Sequence, residues 1–132
     1  MRVVLKYSLG VLLAANGLFM LLAPAPWYQA VPGVTETGPF NPHFVRDIGA
    51  AYLAAGVGLA WFAARREARA AAQIAALFLG VHAIIHLADA IFGRETWAGL
   101  ARDFPGVFLP PLLAAWLAWR RPSKPIQTGV SP

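Results

Sequence analysis

No cysteine occurs anywhere in the chain, which excludes a disulfide, a thiolate metal site and haem attached through cysteine, and leaves the redox compartment open. Charge is scarce as well. Only 13% of the 132 residues are charged, well below the roughly one quarter usual in soluble domains. Six acidic residues stand against eleven Lys and Arg, for a formal net charge of +5. A basic balance can mark a nucleic-acid binder, but the cations here sit at the ends of apolar runs and not on a polar face beside a soluble core. Nucleic acid is therefore excluded as a partner. Apolar residues make up the remainder: 58% of the chain is hydrophobic and the mean hydropathy is +0.56. That composition indicates an all-α integral membrane protein whose first partner is the lipid bilayer.

Four apolar runs have spanning length, at about 3–23, 42–64, 70–92 and 103–121. The first would rise about 31 Å as a helix, enough to cross the hydrocarbon layer. Ala23-Pro24-Ala25 has the small-residue look of a signal cleavage site, but the run is long for a signal core and Pro26 would follow the cut. A retained helix is the better reading, with Asn16 and Gly17 serving close helix packing. Pro24 to Asn41, dense in Pro and Gly, reads as a loop with Trp27 and Tyr28 at an interface. Asn41-Pro42 is a specific helix start: Asn accepts from free N–H groups, and Pro at the first position gives up no hydrogen bond.

Arg65, Arg66 and Arg69, with Glu67, form a basic turn between the second and third runs. Gly93 and Arg94 end the third, and 95–102 suggests a small interfacial helix with Trp97 and Leu100 toward lipid. Asp103 is expected to cap the fourth helix, with Pro105 in its first turn and a kink at Pro110-Pro111. The tail from 122 to 132 has too little apolar surface to order and is expected to be mobile and cytoplasmic.

Four spans put both termini on one side. Arg2, Lys6, Arg65, Arg66, Arg69, Arg120, Arg121 and Lys124 fall on that side, against Arg46, Arg94 and Arg102 on the other. The asymmetry predicts an up-down four-helix bundle in the cell membrane with both termini cytoplasmic.

Three ionisable groups interrupt the third run. His82, His86 and Asp89 share one narrow face of a helix and lie toward its outer end. His43, Arg46 and Asp47 occupy the outermost turns of the second helix, so sequential antiparallel helices would bring the two groups together. Three uses follow. Arg46 could pair with Asp89 or Asp47 as a structural clasp. His82 and His86, one turn apart, could hold a metal ion with Asp89 or with His43 or Asp47. A haem would need ligands from facing helices, such as His43 with His82 or His86, and a quinone would need a polar contact from a His or Arg46. No serine, cysteine or lysine nucleophile stands beside these residues, which argues against acyl transfer. On helix 2, Gly49, Gly56 and Gly58 with the surrounding alanines predict close packing within the bundle. Ala50 and Ala54, with Ala71 and Ala75, are expected to line the contact between the second and third helices.

From Gly17-Leu18-Phe19-Met20-Leu21-Leu22-Ala23-Pro24 to Arg120-Arg121, and most distinctively at Asn41-Pro42-His43-Phe44-Val45-Arg46-Asp47-Ile48-Gly49-Ala50-Ala51-Tyr52, the layout resembles the small four-helix membrane proteins grouped around DoxX. That resemblance implies the fold and a link to respiratory or redox membrane systems, and no catalytic set. The expected function is an accessory or scaffolding membrane protein, as a subunit of a larger membrane complex or as a homo-oligomer. A metal-, haem- or quinone-binding redox protein is the alternative. An oligomeric proton or solute transporter is a third, since His and Asp can relay protons.

Overall fold

The structure, a computed structural model, describes residues 1–119. The expected end of the fourth run at 121 and the tail from 122 lie outside the described residues. Helix α1 spans Arg2–Leu22, α2 Pro24–Ala30, α3 Pro42–Ala64, α4 Arg69–Ile91, α5 Trp97–Asp103 and α6 Leu109–Trp119. Single 3₁₀ turns occupy Val34–Glu36 and Arg66–Ala68. Three segments are long and apolar enough to cross a membrane: Arg2–Leu22, Pro42–Ala64 and Arg66–Ile91.

Local chemistry explains most of the boundaries. Ala23 precedes a proline, which disfavours helical backbone; its φ of −139° and ψ of 63° break α1 from α2. The stretch expected to be loop thus contains a helix, because Pro24 and Pro26 fall in a first turn, where their missing N–H groups cost nothing. Trp27 anchors that helix by donating its indole N–H to Asn16 Oδ1 at 2.9 Å. Asn41 caps α3 as expected, accepting from the N–H groups of His43 and Phe44 at 3.1 Å each. At the end of α4, Gly93 has a φ of 71°. Its N–H bonds to Ala90 O at 3.2 Å and that of Arg94 to Asp89 O at 2.7 Å, the pairing of a Schellman motif, which needs a left-handed residue at this point.

The fourth helical run corrects the expected boundary. Thr96, not Asp103, is the N-cap: its hydroxyl accepts from Gly99 N–H at 2.9 Å, and helix begins at Trp97. The run continues through a π turn at Phe104–Phe108 into α6, where Leu109 N–H reaches back to Phe104 O. Pro105, Pro110 and Pro111 each remove a helical donor, and the wider π turn accommodates the loss. Asp103 therefore lies inside a helical run. By itself α6, with 11 residues, rises about 17 Å, too little to cross a bilayer.

The closest contact joins α1 and α3, which run antiparallel. A Cβ on Gly10 would stand 2.8 Å from Ala60 N and from Gly56 O, and one on Gly17 would stand 2.6 Å from Gly49 O. Gly56 faces the Ala14 and Gly10 backbones, and Gly49 faces Met20. Glycines seven residues apart on each helix, Gly10 and Gly17 against Gly49 and Gly56, thus let two backbones touch. Gly58 faces Ala71 of α4 instead, where an added Cβ would stand 3.2 Å from the Ala71 carbonyl oxygen. Ala75 is buried as expected, but Ala50 and Ala54 point outward. With the glycine face given to α1, Tyr52 and Leu59 turn toward the core that α4 shares. Helix α6 packs on α4 and touches α1, burying Ala114 and Ala118 completely. Large apolar side chains such as Leu12, Val57, Ile74 and Ile84 project outward.

Gly56→Ala places a methyl group against backbone that cannot rotate away and should cost about 1–3 kcal/mol, as overpacking does. Gly80 has open space around it; Gly80→Ala should be neutral or stabilise by up to about 1 kcal/mol through helix propensity. Unfolding in mild detergent compares the two, and a Gly56→Ala protein as stable as the parent would contradict the close backbone contact.

Candidate functional site

The polar groups at the end of the molecule opposite Met1 separate into three sets. On α3, His43 Nε2 and Asp47 Oδ2 lie 3.4 Å apart one turn from each other, with side chains 87% and 61% exposed. This is a surface pair. Arg46 does not bridge to a carboxylate: its Nε donates to Leu21 O at 3.3 Å. It thereby satisfies one of the unpaired carbonyls at the C-terminus of α1, where a cation also suits the helix dipole. Asp89 pairs with Arg94 Nη1 at 3.2 Å, just beyond the end of its own helix. The expected clasp between Arg46 and Asp89 or Asp47 is replaced by these local partners.

The third set is the one that draws separate elements together. His86 Nδ1 lies 3.3 Å from Asp103 Oδ2, and both side chains are largely sheltered, at 21% and 12% exposure. Asp103 Oδ1 accepts from Arg102 Nε at 3.1 Å. Arg102 Nη1 donates to Glu36 Oε2 at 3.0 Å, and its Nη2 stands 4.0 Å from Glu95 Oε2. The chain His86, Asp103, Arg102, Glu36 therefore ties α4, α5 and the loop after α2. The Arg102 guanidinium, which is always a cation, is thus shared between the carboxylates of Glu36 and Asp103. Gly33, with a φ of 83°, takes a left-handed backbone turn that brings the loop directly beside that guanidinium.

Toward the core, the network meets aromatic rings. The His82 and His86 ring centres are 5.0 Å apart at 65°. His82 lies edge-on to Tyr52 at 5.8 Å and stacked with Phe78 at 6.3 Å. Tyr52 and Phe78 meet edge to face at 5.5 Å. Chemically, Asp103 fixes the orientation of the His86 ring through Nδ1, as carboxylates orient imidazoles in many sites.

Of the residues expected in one cluster, the structure pairs His82 with His86 on α4 and His43 with Asp47 on α3. Arg46 and Asp89 are engaged elsewhere, and among the described residues no three His, Asp or Glu side chains converge as a metal-binding group. Asp103, Arg102 and Glu36 are additions that the sequence pattern does not single out. The available signal was Thr96, whose N-cap chemistry starts the helix early enough to bring Asp103 beside α4.

Comparison with protein-family models, with curated proteins and with solved structures gives no match. The resemblance to the DoxX group accordingly rests on the span pattern and the α3 segment alone.

The three carboxylates differ in what they hold. Asp103→Asn should lose about 2 kcal/mol, since it weakens sheltered contacts to His86 and to the charged Arg102 guanidinium. Asp47→Asn and Asp89→Asn should each change stability by less than about 1 kcal/mol, as exposed ion pairs do. Denaturant unfolding in detergent ranks them, and equal effects at all three positions would remove the distinction.

Proposed function

We propose that this chain is an accessory or scaffolding protein of the cell membrane, acting within a larger membrane complex or as a homo-oligomer. In this reading it is an up-down bundle of four spans, with the continuous run from Trp97 through Trp119 as the fourth and both termini cytoplasmic. The outward apolar side chains and the bias of Lys and Arg toward one end support that placement. The observation that carries the functional part is the pairing within the opposite end. His86, Asp103, Arg102 and Glu36 satisfy one another across three elements instead of converging on an open point, which is the arrangement of a structural tie.

A second reading rests on His82. It is half-buried between Tyr52 and Phe78, and neither its ring nitrogens nor the Tyr52 hydroxyl has a hydrogen-bond partner among the described residues. A quinone carbonyl or similar polar head could take such a donor.

Protein purified in mild detergent should contain no stoichiometric metal, show no Soret band and give no saturable thermal shift with a short-chain quinone. A stoichiometric metal or chromophore would overturn the accessory role. A saturable quinone shift that His82→Ala abolishes would establish the second reading. For topology, a reporter active only in the cytoplasm should work when fused to the C-terminus and fail when inserted at Gly38; the reverse pattern would contradict the orientation.

A further inference from the structure

At the end of the molecule that carries Met1, Arg2, Lys6, Arg66 and Arg69 line a cavity of about 150 Å³ together with Val3, Phe62, Trp116 and Leu117. Among the described residues no carboxylate lines it. Glu67 sits in the adjoining turn but neither borders the cavity nor forms an ion pair among the described residues. The four cations likewise make no ion pair among the described residues. Three of them lie against aromatic rings: Lys6 Nζ stands 3.5 Å from the Phe62 ring centre, Arg69 Cζ 5.9 Å from the same ring, and Arg2 Cζ 5.8 Å from Trp116. Phe62 is buried, so its face fixes two of the cations on the floor of the cavity.

Four like charges around one concavity repel each other, and cation–π contacts do not cancel their sum. An anion would. We propose that this pocket binds a phosphate group, supplied by the headgroup of an anionic phospholipid. Guanidinium and ammonium donors from three separate elements match phosphate oxygens, and basic pockets between spanning helices are a recurring way to hold lipid headgroups. The lipid source follows from the walls. Val3 and Trp116, both exposed, flank the cations at the level where a spanning helix leaves the hydrocarbon, and they offer acyl chains a contact that a soluble anion does not use. The assignment requires only that the long helices lie in a bilayer and is independent of the network at the other end.

The full chain, purified in a neutral detergent, is melted with increasing phosphatidylglycerol, with phosphatidylcholine of the same acyl chains, and with inorganic phosphate. Phosphatidylglycerol should raise the unfolding midpoint saturably and phosphatidylcholine should not. Lys6→Gln and Arg69→Gln should each raise the half-saturating lipid concentration about fivefold, the scale of one cation near an anionic surface. Arg65 lies at the same end outside the cavity, so Arg65→Gln should have little effect. Because each substitution relieves repulsion, folding is not expected to suffer; should one variant fail to fold, the other carries the comparison. Equal responses to the two lipids, or an Arg65→Gln loss as large as that of Lys6→Gln, would overturn the site. Saturation by inorganic phosphate with no response to phosphatidylglycerol would overturn the lipid source.

Discussion

Backbone contact between α1 and α3 is the constraint on which the other features depend. Gly10 and Gly17 lie against Gly56 and Gly49, so the two helices approach more closely than any pair separated by side chains. In lipid, where apolar surface gains nothing by leaving its surroundings, such van der Waals contact is a principal source of helix association. It also sets the rotation of α3. Once the glycine face is committed to α1, Tyr52 turns toward Phe78 and His82 of α4, and Phe62 is left under Lys6.

Both ends of the molecule inherit this pairing. At one end the start of α1 lies beside the end of α3, which brings Lys6 over Phe62 and gathers cations from α1 and from the turn into α4 around one cavity. At the other end the close of α1 meets the first turns of α3, and Arg46 reaches Leu21 O. The two ends differ in how charge is balanced. Toward the end of α4, the carboxylates of Asp103 and Glu36 alternate with His86 and Arg102, and the result is a tie among elements. Around Phe62 the charges that line the cavity are, among the described residues, all of one sign.

What could be read from the sequence was local. Asn41-Pro42 starts α3 as expected because capping is decided within three residues, and Gly93 closes α4 for the same reason. The three long apolar segments were equally legible from hydropathy. Local signals also misled: prolines hid α2, and Asp103 followed by Pro105 outweighed Thr96 as a helix start. Side-chain partners were the least legible. Asp89 and Arg46 lie at facing helix ends, but each finds a nearer partner, Arg94 and the Leu21 carbonyl, at lower cost in side-chain order. The bond from Arg102 to Glu36 spans 66 residues and has no local signature. Ala50 and Ala54 face outward because four glycines, two of them on α1, decide which side of α3 is inner.

A chain without cysteine lends itself to one direct test of the α1–α3 contact. A Cβ at position 49 would lie 2.7 Å from Met20 Cβ, nearer than the roughly 3.8 Å of a disulfide, so a modest separation of the helices would allow the bond. Mild oxidation of membranes containing the Met20→Cys, Gly49→Cys protein should therefore form an intramolecular disulfide in high yield. Met20→Cys with Ala54→Cys, whose second site points outward, should stay reduced. Equal yields from the two pairs, or no bond in the first, would contradict an α1–α3 interface built on these glycines.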